Sequence, residues 1–95
     1  MQMTADFATA RAKGLMTTMG KHFGHKIPVT MADNHVILGF EMGEARITTI
    51  AEGLHLSLQG SDAGALERLR SVVERHLLRF AQRDDPAPLA WSAPA

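Results

Sequence analysis

HVILGFEMGEARITTIAEGLHLSLQ, residues 35–59, is the stretch that decides the fold of this chain. It contains three runs in which apolar and polar residues alternate, separated by breaks at Gly43 and at Glu52-Gly53. Alternation with a period of two is typical of β-strands that bury one face and leave the other polar. The pattern therefore predicts strands over 35–42, 44–51 and 54–59, joined by tight turns into an antiparallel meander.

The residues before the meander predict a strand, a helix and a second short strand. The first strand covers residues 4–9, and the last covers 29–32. Between them apolar residues recur every three or four positions from Ala10 onward, which is the period of a helix. Gly24 and then Pro28 end that helix. The helical stripe comprises Ala12, Leu15, Met16, Met19 and Phe23.

After the meander, Ser61 or Asp62 is placed to cap a second helix that runs to about Arg83. Its apolar stripe comprises Leu66, Leu69, Val73, Leu77 and Phe80. A proline-rich break follows, and residues 89–91 predict a short last strand before a frayed tail. The order β-α-β-β-β-β-α-β predicts one α+β domain over residues 1–95, ordered from about 4 to 92. Two helices would then pack on one face of an antiparallel sheet.

The composition excludes several classes of protein. Ten basic and ten acidic residues cancel, which argues against nonspecific binding of nucleic acid. Cysteine is absent, so disulfides and thiolate zinc sites are excluded. The chain shows neither a secretory signal nor an apolar run of about 20 residues that could span a membrane. We therefore expect a cytoplasmic protein without a membrane partner, either a monomer or a homodimer.

Three histidines define the candidate site. His22 and His25 lie at the predicted end of the first helix, and His76 lies on the apolar face of the second. Imidazole titrates near neutral pH and is a common metal ligand. At about 100° per residue, Arg83 lies on the same flank as His76, and Arg79 lies beyond it. If the helices pack side by side, His22, His76 and Arg83 line one groove. The candidate ligand-binding residues are His22, His25, His76, Arg79 and Arg83.

The same residues also have a structural interpretation. His76 fits a buried neutral imidazole with one nitrogen hydrogen-bonded, since buried polar groups need partners. His22 and His25 place positive charge at the negative end of a helix dipole. The two arginines fit salt bridges on a solvated face. Acidic partners for them are available in Glu74, Asp84 and Asp85.

Two segments carry a resemblance to a known family. KHFGHKIPV at 21–29 and HLLRFAQR at 76–83, followed by Trp91, resemble the bacterial family called domain of unknown function 2218. The resemblance covers nearly the whole chain and implies a short α+β domain. Similar domains occur alone or with flavin-dependent siderophore-interacting reductases, which release iron from ferric chelates. The resemblance therefore implies an accessory role in iron acquisition and supplies no catalytic residues.

Some similar chains carry an aldolase label for a dihydroxyheptenedioate substrate. Such an aldolase would resemble a (β/α)8 barrel of about 250 residues. This chain has neither that length nor a pair of metal-binding carboxylates at strand ends. Aldolase activity is therefore not expected here.

Three hypotheses remain open from the sequence. The leading one is a non-catalytic module that binds a small anion, a ferric chelate or a partner reductase near His22, His76 and Arg83. The second is a small metal-dependent enzyme, with His22, His25 and His76 as ligands and Asp33 or Glu41 completing the set. In the third, the histidines and arginines only attach the helices to the sheet. No cofactor is required by any motif.

Overall fold

The computed structural model describes residues 1–95 and confirms the α+β class. One antiparallel sheet has the strand order β1-β5-β4-β3-β2, and both helices pack on one of its faces. The elements are β1 Gln2–Ala8, α1 Ala12–Phe23, β2 Val29–Met31, β3 His35–Phe40, β4 Gly43–Ile50, β5 Gly53–Gly60 and α2 Ala63–Phe80. A 3-10 turn, Gln82–Asp84, follows α2.

The alternating residues of the meander face as the sequence predicts. Seven residues on the helix side are fully buried, and Phe40 and Met42 are half-buried against the core. The residues on the opposite side meet solvent. The buried set comprises Val36, Leu38, Ala45, Ile47, Leu54, Leu56 and Leu58. Because these residues alternate along three neighbouring strands, one face of the sheet forms the core and the other stays open.

Glycine is required where β4 and β5 begin. Gly43 and Gly53 have φ of 159° and 157°, which L side chains rarely adopt. A Cβ atom on Gly53 would lie 2.0 Å from the carbonyl oxygen of Phe7, and one on Gly43 would lie 2.1 Å from that of Gln59. Each tight turn of the meander therefore depends on a residue without a side chain.

The second helix is shorter than the sequence predicts. Its N-cap is Asp62, whose Oδ1 accepts from the Ala65 N–H at 2.8 Å. It ends at Phe80 rather than at Arg83, and the chain then tightens into the 3-10 turn. Asp85 takes a left-handed conformation with φ of 48°. Pro86 disfavours the helical conformation for the residue before it, so the helix cannot continue through this point.

The predicted last strand does not form. Residues 89–91 are irregular, since Pro86 and Pro88 lack the N–H groups that a strand pairing needs. The end of the chain instead hydrogen-bonds to the outer edge of β1. The Ser92 N–H donates to the Thr4 carbonyl at 2.8 Å, and Ala95 and Gln2 exchange two backbone bonds. The tail that the sequence predicts to be frayed is therefore held here.

Neither helix combines the length and the apolar surface that crossing a membrane requires.

Candidate functional site

His22 from α1 and His76 from α2 lie side by side where the two helices end. Their ring centroids are 5.0 Å apart. The Phe23 ring lies edge-on to both, at 4.9 Å from His22 and 4.8 Å from His76, and Phe80 lies 5.3 Å from His22. Edge-to-face packing at these distances is favourable for aromatic rings. The predicted proximity of His22 and His76 is therefore present in the structure.

His76 is anchored by one nitrogen and leaves the other available. Its Nδ1 lies 2.7 Å from the Val72 carbonyl oxygen. A carbonyl oxygen only accepts, so Nδ1 carries the proton and Nε2 is the free acceptor of the neutral ring. The residue is half-buried rather than buried. The structural interpretation, a buried imidazole with one nitrogen hydrogen-bonded, therefore explains Nδ1 but assigns no partner to Nε2.

The surroundings of His22 disfavour a positive charge on its ring. Although the residue is exposed, packing on the neighbouring rings withdraws part of the imidazole from water. This desolvation is the main reason that the pKa of His22 lies below its ordinary value of 6.5. The positive neighbours lower it further: His76, Lys26, Arg79 and His25, in decreasing order of effect.

The arginines of the site have no acidic partners, contrary to the salt bridges of the structural interpretation. Arg79 and Arg83 are exposed and form no ion pair. The expected acidic partners are occupied elsewhere or stay unpaired. Glu74 pairs with Arg70 at 2.7 Å, Asp84 pairs with Arg11 at 3.4 Å, and Asp85 has no ion pair. The positive charge at the end of the two helices is therefore uncompensated.

Arg83 lies outside the helix that carries His76 and Arg79. It lies beyond the end of α2, in the 3-10 turn, and is not among the residues that lower the pKa of His22. The sequence placed it beside His76 by extending the helix through residue 83, and the helix stops before that point. The charged neighbours that lower the pKa of His22 are therefore His25, Lys26, His76 and Arg79, and Arg83 is not one of them.

The geometry offers no set of metal ligands. The structure contains no group of three or more His, Cys, Asp or Glu side chains that could hold a metal ion. Asp33 and Glu41, the acidic candidates, lie in the turns at the two ends of β3. The metal-dependent hypothesis thus gains no support from the arrangement of His22, His25 and His76.

Glu74 is an important polar residue that the sequence identified only as a possible salt-bridge partner of Arg79 and Arg83. It is 8% exposed and accepts three hydrogen bonds. The donors are Arg70 at 2.7 Å, the Trp91 indole N–H at 2.8 Å and the Leu89 N–H at 3.1 Å. Glu74 therefore ties the end of the chain to α2. The feature of the sequence that could have identified Glu74 as buried is its position beside the apolar stripe of α2, directly after Val73.

The open face of the sheet carries a second feature that the sequence underrated. His55 Nδ1 lies 2.6 Å from Asp6 Oδ1, across the β1–β5 pairing. His35 shares this face but is separated from His55 by Thr48 on the intervening strand β4. Strand alternation placed these histidines outward, but only the register shows that Asp6 is the neighbour of His55.

The family model described as an uncharacterized protein conserved in bacteria (DUF2218) matches residues 4–92. The chain belongs to the DUF2218 family. Among solved structures, this DUF2218 domain is similar to the NMR structure of PA4090 from Pseudomonas aeruginosa. The two superpose with a TM-score of 0.79 over 96% of this chain and 94% of that one, at 24% identity, which shows a shared fold. No curated protein sequence matches the chain.

Proposed function

We propose that this DUF2218 domain is a non-catalytic binding module that holds a small anion at the end of its two helices. The site is the imidazole–cation patch, defined as His22, His25, Lys26, His76 and Arg79. The observation that carries the proposal is the contact of two imidazoles among cations that no carboxylate neutralises. An anion bound there would supply the missing negative charge.

The chemistry of the patch suits a carboxylate or a phosphate. Arg79 can form paired hydrogen bonds with either group, and such charge-assisted bonds are stronger than neutral ones. Nε2 of His76 can donate to an anion when the ring is protonated, and His22 gains a proton more readily when an anion lies beside it. The half-buried Phe80 adds an apolar contact for the body of the ligand. The patch is therefore suited to an organic anion better than to a bare inorganic one.

The resemblance to the family narrows the choice of ligand. A ferric chelate with free carboxylate or catecholate charge is an organic anion, and a flavin-dependent siderophore-interacting reductase is the partner that would act on it. The positive charge of the patch would attract the anionic chelate, and it would also attract an acidic surface on the reductase. A ferric chelate is therefore one of the probes in the test.

The test is an NMR titration of the five histidine side chains with phosphate, citrate and ferric citrate in turn. Diamagnetic gallium citrate replaces the iron complex where the paramagnetism of iron broadens the signals. We expect saturable shifts at His22 and His76, and none at His35 and His55 on the sheet. Equal weak shifts at all histidines, or no shift at any of them, would contradict the proposal and favour a purely structural role.

A pair of variants sharpens the result. Arg79→Gln removes the guanidinium that lowers the pKa of His22 and should weaken citrate binding about tenfold. Arg75→Gln removes an exposed arginine of the same helix that does not act on His22, and it should bind citrate as the natural protein does. Equal affinities for the two variants would show that the patch is not the binding site.

A further inference from the structure

The outer edge of β1 has backbone groups that nothing in the chain occupies. In the pairing of β1 with β5, Met1 bonds to Gly60 and Thr9 bonds to Glu52, so the odd-numbered residues of β1 face β5. Adjacent residues of an antiparallel strand point their N–H and C=O groups to opposite sides. The even-numbered residues of β1 therefore direct theirs to the open edge of the sheet.

The end of the chain covers only half of this edge. Ala95 bonds to Gln2, and Ser92 bonds to Thr4 through its backbone N–H and its hydroxyl group. Asp6 and Ala8 have no such partner, so their N–H and C=O groups remain free. The covering segment diverges from β1 here because Pro86 and Pro88 cannot donate to a neighbouring strand.

The divergence opens a cleft beside the free edge. Its volume is about 310 Å³, and it lies between residues 6–8 of β1 and residues 84–90. A second hollow of about 460 Å³ adjoins it and shares Asp6 and Ala90 with it. Residues 84–90 form the outer wall of the cleft. The hydrogen bond from the Trp91 indole N–H to Glu74, called here the latch, holds this wall in place. Free strand edge and fixed wall thus face each other across a gap.

The charges of the cleft are negative. Asp6, Asp84 and Asp85 line it, and no lysine or arginine does. Asp84 pairs with Arg11, and Asp6 Oδ1 lies 2.6 Å from Nδ1 of His55, whereas Asp85 makes no ion pair. A positively charged side chain would therefore be attracted to the mouth of the cleft at Asp85.

We propose that this cleft binds a short extended peptide that carries lysine or arginine and adds to β1 as a strand. The peptide would exchange backbone hydrogen bonds with Asp6 and Ala8, as in other cases of β-strand addition. Its positive side chain would lie near Asp85. Pairing along the whole edge of β1, as between two copies of the chain, is blocked because the chain end already occupies Gln2 and Thr4.

The probe is the peptide acetyl-Val-Lys-Val-Lys-Val-amide, titrated into the ¹⁵N-labelled full chain. We expect saturable shifts of the Asp6 and Ala8 amide signals and slower hydrogen exchange at both. The matched peptide with glutamate in place of lysine should bind about tenfold more weakly. Equal binding of the two peptides, or unchanged exchange at Asp6 and Ala8, would overturn the proposal.

Two variants test the charge without disturbing the fold. Asp85→Asn removes the carboxylate, and asparagine tolerates the left-handed backbone that this residue adopts. It should weaken binding of the lysine peptide about fivefold. Asp33→Asn removes an exposed carboxylate at the other side of the sheet and should leave the affinity unchanged. Concentration-dependent dimerisation of the free protein through Asp6 and Ala8 would instead identify a second copy as the occupant.

Discussion

Two charged regions of α2, two residues apart along the helix, are organised in opposite ways. Glu74 is buried, and its carboxylate is matched by a guanidinium, an indole N–H and a backbone N–H. His76 lies beside His22, whose positive neighbours Lys26 and Arg79 form no ion pair with any acidic side chain. The first region has every polar group satisfied within the chain, which is the arrangement of a structural element. The second leaves charge for something outside the chain to satisfy.

The shifts of pKa show the same contrast. Hydrogen bonds that Arg70 donates to Glu67, and to a lesser degree to Glu74, raise the pKa of Arg70 above its already high value, so its positive charge is stabilised. Desolvation and positive neighbours lower the pKa of His22, so its positive charge is destabilised. One region gains stability from its charges, and the other does not. The predictions below test this difference.

The largest effect is expected from Glu74→Ala. The substitution removes the acceptor of three hydrogen bonds. The Trp91 and Leu89 N–H groups lose their acceptor in a partly buried place, and Arg70 keeps only the exposed Glu67 as a partner. We expect the free energy of unfolding to fall by about 3 kcal/mol. Urea denaturation followed by circular dichroism measures this loss. A smaller loss would mean that water replaces the carboxylate.

Glu67→Ala is the control for that variant. Glu67 also binds Arg70, but it is exposed, and exposed ion pairs contribute little to stability. The unfolding free energy should change far less than in Glu74→Ala. Similar losses in both variants would show that Arg70, rather than the burial of Glu74, carries the stability of this region.

A smaller effect is expected from Trp91→Phe. Phenylalanine keeps most of the apolar contact but cannot donate to Glu74, which retains its bonds from Arg70 and Leu89. We expect a loss of about 1 kcal/mol in urea denaturation monitored by circular dichroism. Hydrogen exchange should also become faster at the Ser92 amide, since that bond depends on the latch. Unchanged exchange would show that the chain end is held by β1 alone.

The sequence predicted the sheet better than the contacts of the chain end, for a physical reason. Alternation along 35–59 shows directly which residues face the core, because burial of one face imposes a period of two. Nothing comparable marks Glu74, because two of its three donors lie 15 and 17 residues away in an irregular segment. Partners that are distant in the sequence depend on how elements dock, which no local pattern encodes.

The candidate site shows the same limit. The helical period correctly placed His22 and His76 together, since both lie on the flanks of packed apolar stripes. It extended the helix through Arg83, whereas the structure places that residue in the 3-10 turn after α2. The pairing of His55 with Asp6 required the register of β1 on β5, which a first strand of seven residues does not reveal by itself.

The unpaired region should make stability depend on pH. In the folded chain the pKa of His22 lies below 6.5, the ordinary value that the unfolded chain retains. Between these two values the unfolded state binds more protons. The unfolding free energy therefore falls as the pH drops below about 6.5 and stops falling below the folded pKa. Urea denaturation across this range should show the loss, and His22→Gln should remove part of it.

The smallest effect on stability, and the most direct test of the comparison, is expected from Arg79→Gln. Arg79 is exposed and forms no ion pair, so the free energy of unfolding should change by less than about 0.5 kcal/mol. The pKa of His22 should nevertheless rise toward 6.5, because one of its positive neighbours is gone. Arg75→Gln, on the same helix, should leave it unchanged. NMR titration of the His22 ring measures its pKa in both variants.

Equal shifts of the His22 pKa in the two variants would mean that the imidazole senses the net charge of the helix rather than Arg79. The patch would then not be a distinct electrostatic site. A shift in Arg79→Gln alone would show a local field that a bound anion can neutralise at no cost to the fold.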